Sequence, residues 1–203
     1  MIVSQFGVES WMDQYEEGAK YNITDTCAKP LSLAELFSLA GEDRTDFMDR
    51  FFEREQTYGT IFGSEKVKKE ISRLYESISP EEILTEHGAT GGNQHIFFSL
   101  IRPGDRVIAF SPSYQQFYSA PEALGAEVTV LRLRRENGYL PDLDELSQAA
   151  ARGVRMICLN NPNNPTGTLI PSDMLKDIVT IARQSGAYLF CDEVYSGVSI
   201  DGA

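Results

Sequence analysis

The chain has 203 residues, enough to bury a core as one large domain or as a domain with a small appendage. Its 30 acidic against 18 basic residues give a formal charge of −12, which opposes non-specific attraction to nucleic acid or to an anionic membrane. No apolar run is long enough for a bilayer span, the first residues lack the order of a signal peptide, and three dispersed cysteines with two histidines argue for a reduced, cytoplasmic protein without a metal site.

The first 55 residues read as an N-terminal arm plus one helix around "LSLAELFSLAG". From about residue 64 the pattern alternates between helix and strand. "SEKVKKEISRLYES" sets Val67, Ile71, Leu74 and Tyr75 on one helical face with Ser64 as N-cap. "GGNQHIFFSLI" predicts a short helix, "RVIAF" a buried strand, and "YQQFYSAPEALG" a helix bent near Pro121 and closed by Gly125. "EVTVLRL" is a strand, "DLDELSQAAARG" a helix and "VRMICL" a buried strand. "PSDMLKDIVTIARQSG" predicts a helix capped by Ser172 and ended by a left-handed Gly186, and "AYLFCDEVY" a last strand that turns polar at its end. Strands without polar alternation, separated by amphipathic helices, predict an α/β fold: a mostly parallel sheet with helices on both faces. Ligands in such sheets bind beyond the carboxyl ends of the strands.

Four stretches carry polar residues at those ends. "HGATGGNQ" opens a helix, where free N–H groups and the helix dipole favour an anion, although glycine-rich turns are common. Neither GxxxxGK[ST] nor GxGxxG is present, so the usual nucleotide fingerprints are missing. In "FSPSYQQF", Tyr114 lies just past a strand and offers a face for a planar ligand, or ordinary packing. In "LFCDEVYSG", Asp192 follows a buried strand and needs a cationic or hydrogen-bonding partner, unless it serves as a helix N-cap. "NNPNNPTG" ends another strand with turn-forming residues. Together these outline one ligand with a phosphate, a flat ring and a ring cation. Pyridoxal 5'-phosphate meets all three demands.

The same segments, with "TYGTIFGSEKVKKEI" and "RPGDRVIAFSPSY", make residues 55–197 resemble the fold-type I, class I/II aminotransferases. The resemblance implies that Gly91, Gly92 and Asn93 serve the cofactor phosphate and that Tyr114 stacks on its ring. It implies that Asn164 and Tyr195 hydrogen-bond the ring's 3-oxygen and that Asp192 pairs with the ring nitrogen. Tyr58 matches a tyrosine that reaches the phosphate of the neighbouring subunit, so a homodimer is expected, with amino-acid and 2-oxo-acid substrates. Cis bonds are expected before Pro112 and Pro165.

The N-terminal stretch is similar to amino-acid-modifying enzymes of the capreomycidine synthase or arginine oxidase kind, which leaves the substrate open. On this resemblance, residues 56–203 are part of a cofactor-binding large domain without the C-terminal small domain. The Schiff-base lysine of the family has no counterpart among the six lysines here. The expectation is therefore a fragment inactive by itself, ending in "SGVSIDGA" with no closing helix. A lyase or oxidase on the same fold, and a non-catalytic cofactor-binding module, are the alternatives.

Overall fold

A computed structural model describes residues 4–24 and 26–198, so the closing stretch from residue 199 lies outside the described residues. Four strands form one sheet: β1 (Arg106–Ser111), β2 (Glu127–Arg132), β3 (Met156–Asn160) and β4 (Tyr188–Asp192), in the order β2-β1-β3-β4 with every neighbouring pair parallel. The described helices are α1 (Gly7–Tyr15), α2 (Leu33–Ala40), α3 (Arg44–Phe52), α4 (Glu65–Ser72), α5 (Gly88–Leu100), α6 (Gln116–Ala123), α7 (Leu143–Ala150) and α8 (Ser172–Ser185).

Two compact units divide the chain. One joins residues 1–26 to 87–203 and carries the whole sheet; the other is residues 27–86. This division follows other lines than a boundary at residue 55. The leading segment also holds more helix than an arm with one helix: α1, α2 and α3 are all present. The two extra helices are much more polar than α2, so neither announces itself as an apolar run. Local chemistry marks the ends of α2 and the start of α3. Ser32 and Glu35 form a reciprocal capping box on α2, Gly41 closes it in the left-handed conformation at φ 64°, and the Asp43 carboxylate caps α3.

In the sheet-bearing unit, the handedness of parallel crossovers explains the layers. The chain moves from β1 to β2 on one side, then returns past β1 to β3 and on to β4 in the opposite direction. A right-handed crossover puts α6 on one face and α7 and α8 on the other. The core records this as alternation along the strands. Val107, Ala109, Met156 and Cys158 pack with Phe97, Ile101, Phe117 and Ala120 of the α5–α6 layer. Ile108, Phe110, Ile157 and Leu159 pack with Leu146, Ala150, Ile178 and Ala182 of the α7–α8 layer. Both faces of β1 and β3 are covered, which is why those strands show no polar alternation.

Some expected details differ. The helix at 65 stops at Ser72 and gives way to tight turns in which Arg73, Leu74 and Tyr75 each bond three residues back. Val67 and Leu74 stay exposed, because α4 has no buried face within its own unit. Ser172 is the first helical residue of α8 and not its cap. The cap position is Pro171, whose extended backbone (φ −60°, ψ 149°) starts the helix without a side-chain bond. Gly186 does take the left-handed C-cap conformation, at φ 67°. No helix among the described residues is long and apolar enough to cross a membrane.

Candidate cofactor site at the strand ends

Because β2 lies on one side of β1 and β3 on the other, the chain reverses its winding direction between β1 and β3, and a crevice opens beyond the strand ends there. All the sheet-borne residues singled out in the sequence converge on this edge. The β3–β4 register puts Asn160 beside Asp192. Asn160 then ties the two strand ends together: its Nδ2 donates to the Asp192 carbonyl at 3.0 Å, and its Oδ1 accepts from the Asn164 N–H at 2.6 Å.

Three asparagines of "NNPNNPTG" are thereby spent on the backbone. Beside Asn160, Asn161 accepts from the Ile170 N–H at 2.8 Å, and Asn163 donates to the Pro112 carbonyl at 3.1 Å and to Thr166 Oγ1 at 2.7 Å. All three are buried. The Asn163–Pro112 bond crosses the crevice from β3 to β1. The peptide bonds before Pro112, Pro162 and Pro165 are cis, one more than the resemblance implied. Only Asn164 turns its amide outward, donating from Nδ2 to Tyr195 Oη at 3.2 Å.

Asp192 is only 7% exposed, and each carboxylate oxygen has one donor. Oδ1 accepts from the Val194 N–H at 3.0 Å, closing an Asx turn, and Oδ2 accepts from Asn93 Nδ2 at 2.8 Å. No helix begins among the described residues 193–198, so Asp192 caps none there. A carboxylate has about four acceptor sites. Two of those on Asp192 are thus left for a cation at the edge of the sheet.

The Asn93 side chain is already engaged within the site. Its two Nδ2 hydrogens go to Asp192 and to Gln116 Oε1 at 3.1 Å, so its side chain holds the carboxylate and is not free for a phosphate. Gln116 in turn donates to the Thr90 carbonyl at 3.0 Å and is 4% exposed. Sequence reasoning missed Gln116; the signal was an amide at the start of an apolar helix, in "SYQQF".

α5 begins at Gly88, whose φ of 75° favours glycine, so the N–H groups without an intrahelical acceptor are those of His87, Gly88, Ala89 and Thr90. Gly91 and Gly92 follow directly in the first turns of α5. A Cβ built on Gly91 meets nothing within 4 Å, so that surface is open to an approaching group.

Tyr114 is half-buried. Its ring is 5.8 Å from Phe117 and 5.3 Å from Phe6, both tilted or edge-on, and its hydroxyl lies 3.3 Å from Thr90 Oγ1. Tyr58 is fully exposed and belongs to the unit of residues 27–86. Beside the site, burial and the neighbouring Glu193 and Asp192 push the Cys191 thiol up to about 12, which makes it inert as a nucleophile. Burial also raises the Cys158 thiol.

The family model "Aminotransferase class I and II" matches residues 48–203. The chain belongs to the class I and II aminotransferase family. An LL-diaminopimelate aminotransferase of Syntrophobacter fumaroxidans is 33% identical over 121 residues, which is 60% of this chain and 31% of that protein. An aspartate aminotransferase of Thermotoga maritima is 30% identical over 135 residues, 66% of this chain and 36% of that one. The crystal structure of a PLP-dependent aminotransferase from Streptococcus suis superposes with a TM-score of 0.92 at 44% identity, covering 96% of this chain and 52% of that chain. The chain thus spans about a third of the length of these curated relatives and about half of that structure. The PLP-dependent cyclase OrfR shares the fold at a TM-score of 0.81 and 22% identity, so the fold by itself does not select one reaction.

Proposed function

We propose that this chain carries the pyridoxal-phosphate cradle of an aminotransferase that moves an amino group between an amino acid and a 2-oxo acid, and that the chain by itself does not turn over. The observation that carries the reading is Asp192. It is a buried carboxylate at the end of β4, held in place by Asn93 and the Val194 N–H, with lone pairs left over for a cation. The donor set around it suits the rest of the cofactor. Tyr195 and Asn164 supply a phenol and an amide for the ring oxygen, Tyr114 supplies an aromatic face, and the start of α5 supplies N–H groups for a phosphate.

When bound, pyridoxal phosphate supplies a conjugated ring that takes up electrons from a bond broken at the α-carbon of an amino acid. Asp192 keeps a proton on the ring nitrogen, and Asn93 fixes the carboxylate that does so. Tyr195 and Asn164 donate to the ring oxygen and hold the ring's rotation. Tyr114 covers one face, and the Phe6 and Phe117 rings limit its movement. The N–H groups at the start of α5, Gly91 among them, would anchor the phosphate, and the open surface at Gly91 leaves room for it.

Lys176 is exposed on α8, and no lysine bonds to any of these residues among the described ones, which supports inactivity of the chain alone. A homodimer, with Tyr58 serving the partner's phosphate, and a cytoplasmic setting with its three cysteines outside any disulfide complete the reading. The test is a titration of the purified chain with pyridoxal phosphate, followed by absorption and protein fluorescence. Saturable binding that weakens at least tenfold in Asp192→Ala and Tyr114→Ala is expected, with no exchange between amino acid and 2-oxo acid. Binding indifferent to both substitutions would defeat the assignment. Borohydride-stable attachment at one defined lysine would defeat the inactivity.

A further inference from the structure

The segment that the sequence left as an arm returns to the site at two points. Both halves of the Gln115 amide grip it: Nε2 donates to the Gln5 carbonyl at 2.9 Å, and Oε1 accepts from the Gly7 N–H at 3.0 Å. The grip fixes the intervening Phe6, whose ring meets Tyr114. After α1 the chain doubles back. Asn22 Nδ2 bonds Glu16 at 3.0 Å, and Thr24 Oγ1 reaches Met12 Sδ at 3.5 Å. Two residues later, Thr26 Oγ1 lies 3.1 Å from Tyr195 Oη. Resting on the cofactor reading above, we infer that residues 5–24 and Thr26 form a further wall of the site, and that Thr26 is a positioning residue whose hydroxyl hydrogen-bonds the Tyr195 oxygen while the phenol donates to the ligand.

The argument is one of donors and acceptors. A phenol has one hydrogen to give and lone pairs to accept with. The Asn164 amide can only donate to Tyr195 through Nδ2, and it uses one of two hydrogens to do so, which leaves the second for a ring oxygen. The Tyr195 hydrogen therefore goes either to Thr26 or to the ligand. A threonine hydroxyl rotates and can donate or accept. With the site empty it can accept from Tyr195; when a ligand oxygen arrives it can reverse and donate, so that Tyr195 accepts twice and gives its only hydrogen to the ligand. Two hydrogen bonds accepted by the phenol oxygen also polarise its O–H and strengthen the bond it donates. Valine has the shape of threonine without the hydroxyl and can do neither. Serine can do both.

Two measurements test this. In the first, 3-fluorotyrosine is incorporated and the Tyr195 fluorine resonance is assigned by its loss in Tyr195→Phe. In the ligand-free chain, Thr26→Val should move this resonance and Thr26→Ser should leave it near its original position. An unmoved resonance in Thr26→Val overturns the contact whether or not the cofactor binds. The second is pyridoxal phosphate affinity across Thr26→Val, Thr26→Ser, Tyr195→Phe and the Thr26→Val/Tyr195→Phe pair. Thr26→Val should weaken binding about three- to tenfold, Thr26→Ser less than twofold, and the pair no more than Tyr195→Phe alone. If the Thr26→Val loss persists in the Tyr195→Phe background, or serine fails to rescue, Thr26 acts only through the local backbone and the positioning role is wrong. Absence of cofactor binding by the unmodified chain would instead defeat the cofactor reading and this role with it. Saturable binding with independent effects would defeat this role alone.

Discussion

Replacing Asn93 by alanine probes the support of Asp192 without touching the carboxylate. The substitution removes a 2.8 Å bond to a buried, charged oxygen and a 3.1 Å bond to the buried Gln116 amide. A hydrogen bond to a charged group contributes about 1.5–3 kcal/mol and a neutral one about 1 kcal/mol. Both acceptors stay behind at 7% and 4% exposure, where water has little access. The expected loss is about 3 kcal/mol. With an m-value of about 2 kcal/mol/M, urea unfolding followed by circular dichroism should shift its midpoint down by about 1.5 M. A double-mutant cycle sharpens the test, because Asp192→Ala removes the partner that Asn93→Ala leaves unsatisfied. The two effects should fall short of additivity by about 1 kcal/mol or more. Additivity within about 0.5 kcal/mol, the behaviour of independent sites, would refute the idea that Asn93 acts through Asp192.

Other substitutions separate folding from binding. Gly91→Ala places a methyl in open space inside a helix, so it should stabilise the ligand-free chain by up to about 1 kcal/mol in urea while weakening pyridoxal phosphate binding several-fold. Loss of stability there would contradict the open surface. Leu146→Ala, at a fully buried position of the α7–α8 layer, should cost about 2–5 kcal/mol in the same assay. Native labelling at pH 8 with a thiol reagent should modify exposed Cys27 and spare Cys158 and Cys191, with all three reacting in denaturant. Because burial raises both of those thiols above their unfolded values, the stability they contribute is complete below about pH 9. It should fall as pH rises toward 12, where Cys191 ionises in the folded chain. Urea midpoints measured from pH 8 upward would show the decline.

The strand ends are where the sequence was most informative. Asp192 and Tyr114 could be singled out because each breaks the pattern of its neighbourhood, a carboxylate and an aromatic at the ends of runs too apolar to be exposed, whereas only the resemblance picked Asn164 from its neighbouring asparagines. Gln116 and Thr26 could not, since their roles depend on partners 23 and 169 positions away in the chain, and local pattern carries no information about such pairings. Asn93 was legible as a site residue but not as a support for Asp192, for the same reason.

The sequence by itself determined the alternation of helices and buried strands, the left-handed stop at Gly186 and the turn chemistry of "NNPNNPTG". All of these are set by a residue's own backbone preferences and its nearest neighbours. Tertiary structure alone decided which asparagine faces outward, which oxygen of Asp192 is held by which donor, and that the N-terminal segment folds back to Tyr195. A hydrogen bond is directional and short. Whether an amide braces the backbone or serves a ligand therefore depends on a few tenths of an ångström between elements that only the reversal of winding at β1 and β3 brings together.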